Sequence, residues 1–225
     1  MRKFLLIIIT TIILLSLSSC STAKNATKPN SNAKNINVIN INANLISETK
    51  ITDREKMFLS VGNNEYFIFD FNVDSKYKWV DVWVDRYELG RKTKSISKLS
   101  TGLSSGKESM IIATVSEFDK MNQTWTLVVN NGGATSTSKL TQEFKASENS
   151  SFSKMWGTNT SKTIPVSSKE ITLANICYQD QRKSNSMSSL TDKFFNSPDQ
   201  NTKEIEKYDF VYLLKCKFYE NKPKE

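Results

Sequence analysis

The chain reads as an all-β protein, an antiparallel two-layer β-sandwich of immunoglobulin-like general shape with one or two short helices near the C-terminus. Three observations carry this reading. Short runs of alternating apolar and polar residues recur after Ile51, turn-forming residues bound each run, and no strand pattern alternates with long helical segments as a parallel sheet would require.

The N-terminus stands apart from that pattern. Arg2 and Lys3 precede an apolar stretch from Phe4 to Leu15, and Leu17-Ser18-Ser19-Cys20 closes the segment. A basic start, a short apolar core and small residues before a cut point make an export signal, too short for a permanent membrane span. The last four residues resemble the lipobox of bacterial lipoproteins: a leucine, two small residues that fit a peptidase cleft, and a cysteine whose thiol carries a diacylglyceryl thioether. The resemblance implies a signal peptide over residues 1–19, lipid attachment at Cys20, and a protein held on the extracytoplasmic face of the cell membrane. Two acyl chains suffice for stable attachment, since each buried methylene contributes roughly 0.8 kcal/mol.

Residues 20–50 read as a flexible tether rich in Asn, Ser, Thr, Ala and Lys, with Ile36 to Ile46 able to form a first strand. Between Ser21 and Ser47 the charges are Lys24, Lys28 and Lys34, placed to favour an anionic bilayer surface or simply to keep the tether soluble. The folded domain is expected over residues 51–225, with two smaller domains split near residues 147–161 as the alternative. Phe152 and Trp156 in that Ser/Asn-rich connector are costly to leave in water.

Within the domain, Glu65 to Val73 alternates Phe67, Phe69, Phe71 and Val73 on one face, and Tyr77 to Tyr87 alternates Val80, Val82 and Val84 against Trp79, Trp83 and Tyr87. Both are strands, and the short link Asp74-Ser75-Lys76 predicts a hairpin. Ser109 to Phe118 and Thr124 to Asn130 form the next pair. Asn130-Asn131-Gly132-Gly133 then predicts a tight turn into a strand over Ser138 to Phe144. Glu170 to Tyr178 and Tyr208 to Tyr219 are the last two strands. Between them, Ser189 with Asp192 predicts a capped helix carrying Leu190 and Phe194 and stopped by Pro198, with a second short turn over Lys203 to Lys207.

Charge and composition exclude several functions. The full chain carries +8; loss of Arg2 and Lys3 with the signal leaves 29 basic and 23 acidic residues, interleaved as on an ordinary solvated surface. Export together with this pattern argues against a nucleic-acid partner. The chain contains no histidine, which removes Ser-His-Asp and Cys-His mechanisms and most catalytic zinc sites. No cofactor is implied, and no acidic cluster has metal-binding spacing.

With Cys20 assigned to lipid, Cys177 and Cys216 remain; each lies in phase with its strand's apolar face, which in an exported protein predicts either a disulfide or two buried thiols. Gly102-Leu103-Ser104-Ser105-Gly106 has the letters of a nucleophile elbow, which needs a strand before it, a helix after it and a histidine base; here the segment leads into a strand, in a chain without histidine. Ser-x-x-Lys recurs at Ser95, Ser104 and Ser151, as expected by chance in a Ser- and Lys-rich chain.

One constellation is worth testing as a site. Alternation places Trp79, Asp81, Trp83, Asp85 and Tyr87 on a single strand face, where flat rings beside carboxylates could hold a sugar or a cationic ligand. The competing expectation is that the rings pack beneath a neighbouring element while the aspartates pair with lysines. The whole chain is similar in appearance to small lipoproteins of Gram-positive bacteria. The expected function is a non-enzymatic binding or accessory module of the cell envelope, its partner an envelope glycan or a membrane protein. A carboxylate-based glycan-acting enzyme and a structural subunit of a membrane assembly are the alternatives.

Overall fold

Eleven strands are described, and they assemble into two antiparallel sheets. The computed structural model describes residues 44–61, 65–104, 108–117, 122–143, 151–182 and 187–224. In chain order the strands are β1 (Leu45–Glu48), β2 (Glu65–Asn72), β3 (Trp79–Glu88), β4 (Arg91–Gly102), β5 (Ser109–Glu117), β6 (Asn122–Asn131), β7 (Ala134–Glu143), β8 (Phe152–Thr158), β9 (Ile164–Pro165), β10 (Ile171–Asp180) and β11 (Phe210–Tyr219). One sheet has the order β7-β6-β5-β2-β1-β9 and the other β4-β3-β11-β10-β8. The antiparallel sandwich predicted from strand alternation is the fold observed.

The alternating residues fill the space between the sheets. Phe67, Phe69 and Phe71 of β2, with Ile111 of β5 and Trp125 of β6, face Val80, Val82 and Val84 of β3 and Leu214 and Phe218 of β11. Phe71 meets Phe218 edge to face with ring centroids 5.3 Å apart, and Trp125 lies 5.9 Å from Tyr212. Such aromatic pairs add roughly 0.5–1.5 kcal/mol beyond their buried area.

Several elements depart from expectation. β2 and β3 belong to different sheets, so the Asp74 to Lys76 link crosses between layers instead of closing a hairpin. Their apolar faces point at each other, which a hairpin within one sheet could not achieve. β1 begins at Leu45, inside the predicted tether; residues 36–43 lie outside the described residues. The residues on both sides of the 147–161 connector share the same sheets, because β3 pairs with β11 and β1 pairs with β9, and the connector itself carries β8. The described residues accordingly belong to one compact unit. Phe152 packs on the core, whereas Trp156 is 51% exposed on the edge strand β8.

The predicted β5–β6 and β6–β7 pairs form, the latter through Gly132 and Gly133 at φ of 57° and 93°, a backbone region that glycine enters without steric cost. A helix not expected from the sequence, α1 (Asp53–Ser60), opens with a reciprocal cap between Thr52 and Glu55 and buries none of its residues. On one flank the edge strands β4 and β7 approach through hydroxyls, Ser97 with Ser138 at 3.5 Å and Thr101 with Ser136 at 2.9 Å.

The second sheet has a further layer. Residues 187–208, including α2 (Asp192–Asn196) and a 3-10 turn over Thr202–Lys207, fold over its outer face. Leu190, Phe194, Phe195, Ile205 and Tyr208 pack there on Cys177, Val211 and Leu213. The cap of α2 is Thr191, not Ser189; the Thr191 hydroxyl and amide both donate to Glu204 across the layer, at 2.7 and 3.0 Å.

This second layer corrects the expected disulfide. Cys177 and Cys216 are free thiols buried on opposite faces of the sheet, Cys177 beneath the helical layer and Cys216 between the sheets. Cys177 stands opposite Val211 and Cys216 opposite Ile171, a separation of five residues along β11. That is about 17 Å at the strand rise, against the roughly 7 Å that a bridge can span.

Candidate functional site

β3 presents its predicted face outward, since the valines between occupy the core. The two carboxylates on that face are enclosed: Asp81 is 2% exposed and Asp85 is 0% exposed. Asp81 receives hydrogen bonds from Ser100 and, at 3.3 Å, from the Tyr219 hydroxyl, and pairs with Lys98 at 3.0 Å. Ser100 in turn accepts from Trp79 Nε1 at 2.6 Å.

Asp85 sits in an equivalent arrangement further along the same strand face. Ser95 donates to it at 2.7 Å, and the Lys92 and Lys215 ammoniums stand at 2.8 and 3.2 Å. Burial by itself raises the Asp85 carboxyl; the hydrogen bonds from Lys92 and Ser95 and the charge of Lys215 outweigh it and hold the group below the usual carboxylate range. Burial pulls Lys215 down, but Tyr87, Asp85 and Glu170 overcome it and the ammonium is held above its ordinary value. Trp83, 9% exposed, stands opposite Lys98 of β4 and Lys215 of β11 in the strand register.

The face is therefore a self-paired lattice of charges and rings. The aspartates already hold lysines, as one of the two expectations had it, so the carboxylates are not open to an incoming cation. Helical packing divides the face further. Tyr87 packs against the buried helical layer, while Trp79 at the other end is only partly covered. Among the described residues no group of three Cys, Asp or Glu is arranged to hold a metal ion, and no helix is long and apolar enough to cross a membrane.

Sequence reasoning missed an open groove of about 560 Å³ at the end of the sandwich where β4 and β7 part. Arg86, Glu88, Lys94, Gln142, Glu143 and Phe210 line it. Arg86 stacks over the Phe210 ring at 5.1 Å and its Nη2 pairs with Glu88 at 2.7 Å, while its buried Nε has no acceptor among the described residues. The signal was present as an arginine in phase with the β3 valines, an inward position where a charge is costly without partners.

The remaining motifs dissolve into structure. Gly102 ends β4 and the Ser104 amide donates to Asn131 at 2.6 Å; Ser105 and Gly106 lie outside the described residues. Ser95 and Lys98 serve different aspartates, and Lys154 bridges Glu65 and Glu117 at 2.7 and 3.2 Å.

A family model for the YgaN domain matches residues 45–218. The chain belongs to the YgaN domain family. The matched span opens at the first residue of β1 and closes at the last core residue of β11, so the YgaN domain coincides with the sandwich and its helical layer. No curated protein and no solved structure matched the chain. The predicted face on β3 and the groove around Arg86 both lie within the YgaN domain, whereas Cys20 precedes it.

Proposed function

We propose that this chain is a lipid-anchored protein of the extracytoplasmic membrane face, and that its YgaN domain acts there as a non-enzymatic binding or accessory module of the cell envelope. The carrying observation is Leu17-Ser18-Ser19-Cys20 at the end of a basic and then apolar N-terminus. Two features support it. The YgaN domain starts only at Leu45, leaving a spacer after Cys20, and the two other thiols are enclosed in the sandwich with burial pushing both upward, so neither competes for acylation.

The binding role draws on the character of the β3 face, whose carboxylates are committed to lysines and serines while Trp79 stays partly accessible. Mass spectrometry of the protein extracted from membranes tests the anchor: the expected product begins at an acylated Cys20, and Cys20→Ala releases the protein to the medium. An unmodified N-terminus on the native protein overturns the reading.

A glycan-acting enzyme is favoured by one observation, the presence of Glu88, Glu143 and Phe210 in a single groove. Against it, Glu88 is tied to Arg86. Loss of a measured glycan hydrolysis in both Glu88→Gln and Glu143→Gln would select this reading.

A further inference from the structure

We infer that the end of the sandwich where the chain enters is a second membrane contact, which binds anionic lipid headgroups and orients the domain on the bilayer; the inference rests on the lipid-anchor reading. Asn44 fixes the entry point, donating its amide to Asn72 at 2.7 Å and accepting from Val166 at 2.8 Å. The link from Val73 to Lys78, the start of β3, the end of β11 and the C-terminal residues to Lys224 all lie at this end, because Tyr219 stands opposite Trp79 and Leu45 opposite Asn72. Cys20 and Asn44 are 24 residues apart in sequence, so an acylated Cys20 keeps this end within about 80 Å of the bilayer even at full extension.

The same end carries lysines paired with rings instead of with acids. Lys222 Nζ lies 5.4 Å from the centre of the Trp79 ring and Lys217 Nζ 5.2 Å from that of Tyr219. Lys78 is exposed, its backbone joining Tyr219 to Leu103. Among the described residues none of these three ammoniums has a carboxylate partner, whereas the neighbouring acids are engaged: Glu220 with Lys76, Asp81 with Lys98, Glu170 with Lys215, and Asp74 with Asn44. Asp70 and Glu108 are the other acids toward this end, and both belong to the opposite sheet, Asp70 in β2 and Glu108 just before β5.

An aromatic ring that prefers the headgroup region, with an ammonium on its face, matches the interface of an anionic bilayer. Docked this way, the sandwich turns α1 and the Arg86 groove away from the membrane. Those elements sit at the other end of β2 and β3.

The test uses the exported chain from residue 20 with Cys20→Ser, so that no acyl chain contributes, and measures its co-sedimentation with vesicles of phosphatidylcholine alone and with phosphatidylglycerol added. Binding is expected only with phosphatidylglycerol. Each lysine near such a surface strengthens binding roughly fivefold, so Lys78→Gln/Lys217→Gln/Lys222→Gln together should weaken it on the order of a hundredfold. Replacing Lys24, Lys28 and Lys34 by Ser should leave most of the binding, as should Arg91→Glu/Lys94→Glu at the far end of the sandwich. Brominated lipid should quench tryptophan fluorescence in the parent and much less in Trp79→Phe, a readout that does not depend on the lysine variants folding. The inference is overturned if the parent ignores phosphatidylglycerol, if the triple variant binds as the parent does, or if the tether lysines carry all of the binding. An acylated Cys20 in the native protein alongside any of those results would leave the anchor standing and remove the second contact alone.

Discussion

The two sheets of this YgaN domain solve burial differently. The sheet containing β5, β6 and β7 buries one face, and its far strand β7 alternates Ser, Thr and Lys toward water. The sheet containing β3, β10 and β11 buries both faces of its central strands: the inner one against aromatic and aliphatic side chains, the outer one beneath helices at one end and beneath its own salt bridges at the other. An amphipathic pattern is thus a faithful guide in the first sheet and an incomplete one in the second.

Truncation between the sheets should cost most. Phe218→Ala removes a ring that touches both Phe71 and Tyr77 and should destabilise by about 5 kcal/mol in chemical denaturation. Phe194→Ala in the helical layer should cost about 4 kcal/mol, less because that layer can settle onto the gap. It should also expose Cys177 to a thiol reagent while Cys216 stays protected. Equal labelling of both thiols would show that the helical layer and the sandwich open together.

Asp85→Asn should cost about 3 kcal/mol, since it leaves the buried Lys215 facing a neutral amide. The carboxyl is held low in the folded chain, so its stabilisation is complete above the ordinary aspartate range near pH 4 and disappears as pH falls through its lowered value. The acid limb of a stability profile should therefore be shallower in Asp85→Asn than in the parent. Thr137→Ala on the exposed face of β7 should change stability by less than about 0.5 kcal/mol. A larger loss there would mean that the outer face of the first sheet is covered as well.

The same contrast decides what could be read in advance. Phe67, Phe69 and Phe71 and the valines of β3 declared their strands, because each faces one core with nothing but water or salt bridges behind. β4 escaped notice since its two buried apolar residues, Ile96 and Leu99, are three apart; bulges in its pairing with β3 break the two-residue period. α1 carries its cap in plain letters at Thr52 and Glu55 but has no apolar stripe to announce it. Cys177 and Cys216 looked compatible because strands buried on both sides hide which face a residue takes.

For the candidate face, the inward-outward order of β3 was readable, yet its chemistry was not. The lysines that neutralise Asp81 and Asp85 come from β4 and β11, one of them more than a hundred residues away in sequence. The Arg86 groove depends on the parting of two edge strands, β4 and β7, which no local pattern encodes.

The hydroxyl contacts between β4 and β7 have a colloidal consequence. A sandwich ordinarily offers its outermost strands as templates onto which a neighbour can add, and that hazard grows when copies are crowded in two dimensions. Here Ser97, Thr101, Ser136 and Ser138 turn two such rims toward each other. Among the described strands the remaining rims are β9, too short to template a neighbour, and β8, whose Lys154 reaches across to Glu65 and Glu117 of the other sheet and leaves the neighbouring Trp156 exposed.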